Sequence, residues 1–173
     1  MFRGKSCILQ PWRRGDEASL VRHASNRAVW RNLTDRFPNP YSLKDAKGWI
    51  RKNVESESPE DHMAIVVEGE PVGGVGATRQ EDLSRLTAEF GYWLGQEHWG
   101  RGIATDAARL MVDYTFATFD YARLEAGVLE WNPASCRVLE KIGFELESKQ
   151  RNSVFKDGEL IDRFLYVRLR EKL

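Results

Sequence analysis

The apolar positions change period along the chain, and those changes divide it into alternating strand and helix segments. Ser6 to Trp12 predicts an opening strand, after which Leu20, Val21 and Ala24 recur at helical spacing behind Asp16. A loop with Pro38 and Pro40 separates this helix from a second, where Ser42-Leu43-Lys44-Asp45 has the form of a capping box. Ala46, Trp49 and Ile50 share one face of that helix, which is expected to end near Val54. Met63 to Glu68 and Val72 to Thr78 read as a hairpin about Gly69-Glu70-Pro71, and Leu86 to Leu94 as the next strand. There the alternation of Leu86, Ala88 and Phe90 slips at Gly91, which predicts a bulge or a splay. From Ile103 a long helix carries Ala107, Leu110, Met111, Tyr114 and Ala117 as a stripe suited to lie on a sheet. Leu124 to Leu129 returns to strand, and a short helix runs from Pro133 to its stop at Gly143. Asp157-Gly158 then turns the strand from Glu145 to Phe155 into a closing strand, Ile161 to Leu169. Strands on both sides of the long helix, with antiparallel hairpins before and after it, give a mixed α/β (α+β) class.

Composition narrows this picture. The chain has 173 residues, the usual size of one domain, so a single domain over residues 1–173 is expected. A hydrophobic share of 42% and a charged share of 30% exclude a disordered chain. The 26 basic residues balance the 26 acidic ones, which argues against a global nucleic-acid affinity. Cys7 and Cys136 are too few for a disulfide framework and have no accompanying His cluster, so no metal is expected. No signal-peptide core or bilayer-long apolar run is present; the expectation is a soluble, cytoplasmic protein with no membrane partner.

The chemistry concentrates in two segments. Trp99-Gly100-Arg101-Gly102-Ile103-Ala104-Thr105 joins a strand end to a helix start, where glycines allow unusual backbone angles and free N–H groups converge. Such a terminus attracts a phosphate or pyrophosphate. A nucleoside-triphosphate loop is disfavoured, because Arg101 stands where Lys is needed and Gly102 where Ser or Thr is needed. The dinucleotide fingerprint also fails on its glycine spacing. The second segment, Asn132-Pro133-Ala134-Ser135 through Leu139-Glu140-Lys141-Ile142-Gly143-Phe144, reads as one helix with both ends marked.

Together with Phe90-Gly91-Tyr92-Trp93-Leu94 and the early Phe37-Pro38-Asn39-Pro40-Tyr41, Ala46 and Trp49, these segments resemble the GCN5-related N-acetyltransferase (GNAT) superfamily. Within it, the chain is similar to the RimJ/RimL branch that acetylates ribosomal-protein N-termini. The resemblance implies the acyl-CoA N-acyltransferase fold, with the fourth and fifth strands splayed around coenzyme A and helices flanking the sheet. It implies acetyl-CoA as co-substrate, held by Tyr92, Trp93, Leu94, Trp99, Gly100, Arg101, Gly102, Ile103, Ala104, Thr105 and Asn132. Asn132 also has an ordinary reading as a helix cap. Two departures stand out: Trp99 occupies a position usually held by Gln or Arg, and Leu139 replaces a Tyr that serves many relatives as general acid.

Acetyl transfer from a thioester needs a neutral amine and a stabilised leaving thiolate. An α-amine, with a pKa of about 8, meets the first need more easily than a lysine-type amine at about 10.4. The expected reaction is direct attack in a ternary complex by an N-terminal α-amine of a protein or peptide. The alternatives are a small amine such as a polyamine, amino acid or aminoglycoside, or a non-catalytic acyl-CoA-binding or protein-interaction module. Glu89 is the candidate base, with Glu125 and Glu130 as other carboxylates; its rival reading is a strand residue facing water. Ser135 is the candidate donor to the thiolate, against a secondary capping role. Cys136 reads as a packed residue. Trp30, Phe37, Tyr41 and Trp49 form either a wall of the acceptor site or simple interhelical packing. Dimers are frequent in the family, and nothing in this sequence dictates one.

Overall fold

The computed structural model describes residues 1–58 and 61–171. Eight strands form one sheet: β1 (Phe2–Arg3), β2 (Ile8–Pro11), β3 (His62–Val67), β4 (Glu70–Arg79), β5 (Thr87–Leu94), β6 (Arg123–Leu129), β7 (Glu145–Lys156) and β8 (Glu159–Leu169). Their order is β1-β2-β3-β4-β5-β6-β8-β7. The helices are α1 (Glu17–Ala24), α2 (Arg27–Trp30), α3 (Leu43–Val54), α4 (Ile103–Thr118) and α5 (Pro133–Lys141). The two-residue β1 and the single-turn α2 lie below the length at which an apolar period is visible, and the sequence reading lacks both. The first hairpin turns at Glu68 and Gly69, both at positive φ, so Glu70 and Pro71 belong to β4 and not to the turn.

Strands β3 and β4 are buried on both faces, which is why their sequences run apolar without alternation. One core packs Met63, Ile65, Phe90, Leu124 and Ala126 against Ala107, Met111 and Leu139 of α4 and α5. The other packs Trp12, Ala64 and Val66 against Leu20, Ala46 and Ile50 of α1 and α3. The Ser42 capping box is present, with Asp45 N donating to Ser42 Oγ and Ser42 N to the Asp45 carboxylate. Among the described residues no helix is long and apolar enough to cross a membrane.

Gly91 does not bulge its strand. The β4–β5 register runs unbroken from Gly73 opposite Leu94 to Arg79 opposite Ala88. The departure lies on the other edge of β5: its parallel pairing with β6 covers only Thr87–Arg123, Ala88–Leu124 and Glu89–Glu125. Both strands continue beyond that last rung, so the sheet splays between them. The strands concerned are the fourth and fifth of the sequence reading, now β5 and β6 because β1 precedes them.

Candidate active site

The splay leaves the β5 edge from Phe90 to Leu94 without a strand partner on the β6 side among the described residues. Backbone N–H and C=O groups at such an edge require a partner. An extended chain carrying amides fits it.

At the open end of β5 the chain makes a short 3₁₀ turn, Gln96–His98, and enters α4 through the glycine loop. Gly100 and Gly102 lie at φ +73° and +77°, and a Cβ added at either would meet open space. Gly102 is the N-cap and offers no side-chain hydrogen bond, so the N–H groups of Ile103, Ala104 and Thr105 are left to the loop. Trp99 donates from its indole Nε1 to the Leu94 carbonyl at 2.7 Å, stapling the loop to the strand. That backbone-directed bond explains how Trp serves where Gln or Arg is usual. Arg101 Nη1 turns back toward His98 Nδ1 at 3.4 Å. Burial, with His23 and Arg101 nearby, lowers the His98 pKa and favours the neutral ring. Behind the turn, buried His23 meets the Glu70 carboxylate at 2.9 Å and occupies the space where a Gly95 side chain would stand.

Tyr92 and Ser135 meet across the gap. Tyr92 reaches from β5 to α5, and its hydroxyl lies 2.7 Å from Ser135 Oγ and 3.3 Å from the Ser135 carbonyl. Burial pushes the Tyr92 pKa up to about 12. Asn132 caps α5 by accepting from Ser135 N at 3.2 Å, so the Ser135 hydroxyl is engaged by Tyr92 and not by the helix start. Leu139 is buried in the core and contributes no proton donor. Nothing in the sequence marks the Tyr92–Ser135 pair, which depends on two elements separated by all of α4 and β6.

The opposite face of the splayed strands carries Glu89, Gly91 and Trp93 on β5, and Glu125 and Gly127 on β6. Glu89, at the last rung, is exposed and has no hydrogen bond or ion pair among the described residues. Glu125 is held by Arg123 at 2.6 Å and Gln80 at 3.1 Å, and Glu130 accepts from Asp162 N at 3.0 Å. Of the three carboxylates raised by the sequence, Glu89 alone is uncommitted. Trp93 lies over Gly74 and meets Phe37 at 5.5 Å; its neighbour Leu94 is buried in the α4 core.

Of the four aromatic residues of the expected wall, Phe37, Tyr41 and Trp49 share the α1–α3 core and Trp30 leaves it. Phe37 packs on Tyr41 at 4.8 Å, and Trp49 meets the His62 ring at 5.6 Å. Trp30 instead receives the Lys156 ammonium 3.6 Å over its ring, beside a 2.7 Å ion pair from Lys156 to Asp35. Arg27 and Arg31 bind Asp157, fastening the tip of the β7–β8 hairpin to α2. Cys7 and Cys136 are free thiols.

Residues 7–145 match the family model described as an acetyltransferase (GNAT) domain. A probable N-acetyltransferase of Bacillus subtilis, YjcK, is 32% identical over 164 residues, covering 91% of each chain. Spermidine N(1)-acetyltransferase of Escherichia coli K12 is 27% identical over 155 residues, 89% of this chain and 81% of that one. Among solved structures, the ribosomal L7/L12 alpha-N-protein acetyltransferase RimL in complex with coenzyme A superposes with a TM-score of 0.82 at 20% identity, covering 95% of this chain and 94% of that one. It has the same fold.

Proposed function

The chain belongs to the GNAT acetyltransferase family, and from that premise we propose that it transfers acetyl from acetyl-CoA to an α-amine, with a protein or peptide N-terminus as acceptor. The observation that carries this reading is the splay itself, an unpaired β5 edge ending in a glycine-built helix start, with a hydroxyl pair across the gap.

In this reading the N–H groups of Ile103, Ala104 and Thr105 hold the pyrophosphate, and Gly100 and Gly102 let it approach the backbone. The open β5 edge offers the pantetheine amides the main-chain groups of Tyr92 and the Leu94 N–H, because the Leu94 carbonyl is held by Trp99 and Trp93 turns its main chain to β4. Asn132 borders that arm. Acetyl-CoA supplies the activated acyl group. Glu89 holds the incoming amine and takes its proton, directly or through one water, as the C–N bond forms and the C–S bond breaks. Either hydroxyl of the Tyr92–Ser135 pair can donate; in this reading Tyr92, kept neutral by its raised pKa, is the donor to Ser135 Oγ. The Ser135 hydroxyl hydrogen is then free for the departing sulfur, which develops negative charge only during the reaction.

Charge bookkeeping favours an α-amine over a polyamine. A polyamine carries several cations and needs several free carboxylates. Here Glu125 is taken by Arg123, Asp35 by Lys156, and Asp157 by Arg27, while Glu89 is uncommitted. An unpaired carboxylate at the last rung suits one amine.

The test follows acetyl-CoA consumption with peptide α-amines and with spermidine between pH 6.5 and 9. The peptide is expected to be the better acceptor. Glu89→Gln is expected to lose most rate at the acid end, where an amine of pKa about 8 is largely protonated and most needs a base. Preference for spermidine would reverse the acceptor assignment, and a Glu89→Gln profile parallel to the parent would remove the base.

A further inference from the structure

Gly127 is the first residue of β6 beyond the last β5–β6 rung whose side-chain direction lies away from α4 and α5. Its neighbours Ala126 and Val128 point into the α4–α5 core. Gly127 therefore faces the same side as Glu125 and, across the rung, Glu89. The space its side chain would occupy is filled from β8: a Cβ there would stand 3.1 Å from Arg163 Cδ, 3.4 Å from Nε and 3.5 Å from Nη1. The Arg163 side chain thus lies flat along the open part of β6.

Arg163 is held in that pose without being neutralised. Its Nε donates to Gln150 Oε1 at 2.8 Å, and among the described residues no carboxylate pairs with it. Its neighbours behave differently. Arg123 binds Glu125 and Glu147, Arg27 and Arg31 bind Asp157, and Lys156 binds Asp35. Among the described residues Arg163 has no hydrogen bond from its terminal nitrogens and no carboxylate partner, and a guanidinium so presented matches a carboxylate with two parallel hydrogen bonds.

We infer that Arg163 is a specificity residue that receives a carboxylate of the acceptor, so the preferred acceptor is an amine with a carboxylate close by. This rests on the transferase reading above and names its substrate class. Glu89 on one bank of the splay and Arg163 on the other are unpaired groups of opposite sign on the same side of the sheet, an arrangement suited to an acceptor that carries both an ammonium and a carboxylate. Two sources share that chemistry: the N-terminus of a peptide beginning with an acidic residue, and a free α-amino acid.

The experiment measures kcat/KM for acidic and neutral partners within each source. The peptide arm compares Asp-Ala-Ala amide with Asn-Ala-Ala amide, and the free arm compares serine with serinamide. Each ratio is taken in the parent protein, Arg163→Gln and Arg163→Lys, so differences in amine basicity and in the fraction of folded enzyme cancel. The acidic-over-neutral ratio is expected to fall by about tenfold or more in Arg163→Gln, the scale of a charge-assisted contact, and by less in Arg163→Lys, which keeps the charge but loses the fork. The arm in which the ratio falls identifies the source. A ratio unchanged by Arg163→Gln in both arms overturns the inference while leaving the transferase reading intact. Turnover of no amine at all overturns the transferase reading, and this inference with it.

Discussion

The two banks of the splay are built from different materials. Toward α4, the surface assigned to the cofactor is main chain: the unpaired edge of β5, two glycines at positive φ and the first N–H groups of a helix. Toward α1 and α3, the surface assigned to the acceptor is side chain, with Glu89 from β5, Trp93 over Gly74, Arg163 from β8 and the hairpin tip pinned to α2. A main-chain site tolerates exchange of most side chains because its donors belong to every residue, so one fold can keep one cofactor. A side-chain site changes with each substitution, so acceptors can diverge on the same scaffold. That contrast fits a relative named for spermidine and a protein of the same fold named for a ribosomal protein.

The largest effect that would sharpen this contrast is expected where a side chain meets the cofactor bank. Ser135→Ala should lower kcat by about 100-fold, the lower range for proton-transfer groups, while acetyl-CoA affinity stays nearly constant. Asn132 still caps α5, so the melting temperature should change little. Steady-state kinetics beside calorimetry and a thermal melt separate these quantities. Unaltered kcat would return Ser135 to a structural role and leave the gap without side-chain chemistry.

Next in size is the main-chain site. Gly102→Val forces a β-branched residue to φ +77°, where a non-glycine residue costs about 1–2 kcal/mol, or reorients the N–H groups of α4 to escape it. Acetyl-CoA affinity should fall about tenfold, by the relation of about 1.4 kcal/mol per decade. Arg101→Ala should cost less, because that side chain leans on His98 and not into the cradle. The reverse ranking by calorimetry would break the main-chain account of the cofactor bank.

Tyr92→Phe gives the smallest effect. Removing one partially shielded hydrogen bond should reduce kcat by about two- to tenfold without moving the acetyl-CoA affinity. The sign of its pH dependence is fixed by the raised pKa: the neutral, donating phenol persists below about pH 12 and is lost only above it. The ratio of parent to Tyr92→Phe kcat should therefore stay flat from pH 6 to 10. A ratio that declines through pH 8 would mean that Tyr92 titrates in the working range and does not hold Ser135 as described.

Local signals made the scaffold and one bank legible. The Gly100-Arg101-Gly102 loop, the Ser42 capping box and the Asn132-Pro133 helix start each act within a few residues, and all fold as their spacing indicates. Gly91 was legible only by half. Its slip in alternation marks the splay, but the strand stays in register with β4 because the missing partner is β6, which lies beyond α4 in sequence. Of the four aromatic residues grouped by their place in the first helical section, Phe37, Tyr41 and Trp49 pack together with α1 and α3, whereas the β7–β8 hairpin brings Lys156 onto the Trp30 ring and draws it away.

By itself, then, the sequence determined all the elements but β1 and α2, the glycine loop that opens α4 and the family, since hydrogen-bond geometry and apolar period operate over one or two turns. Only the tertiary structure decided that Tyr92 faces Ser135, that Glu89 stands uncommitted while Glu125 and Glu130 are engaged, and that Arg163 fills the space above Gly127. Those facts depend on strand order and register, which bring together side chains from distant parts of the chain, and on which charges find partners once they meet. No local spacing encodes either.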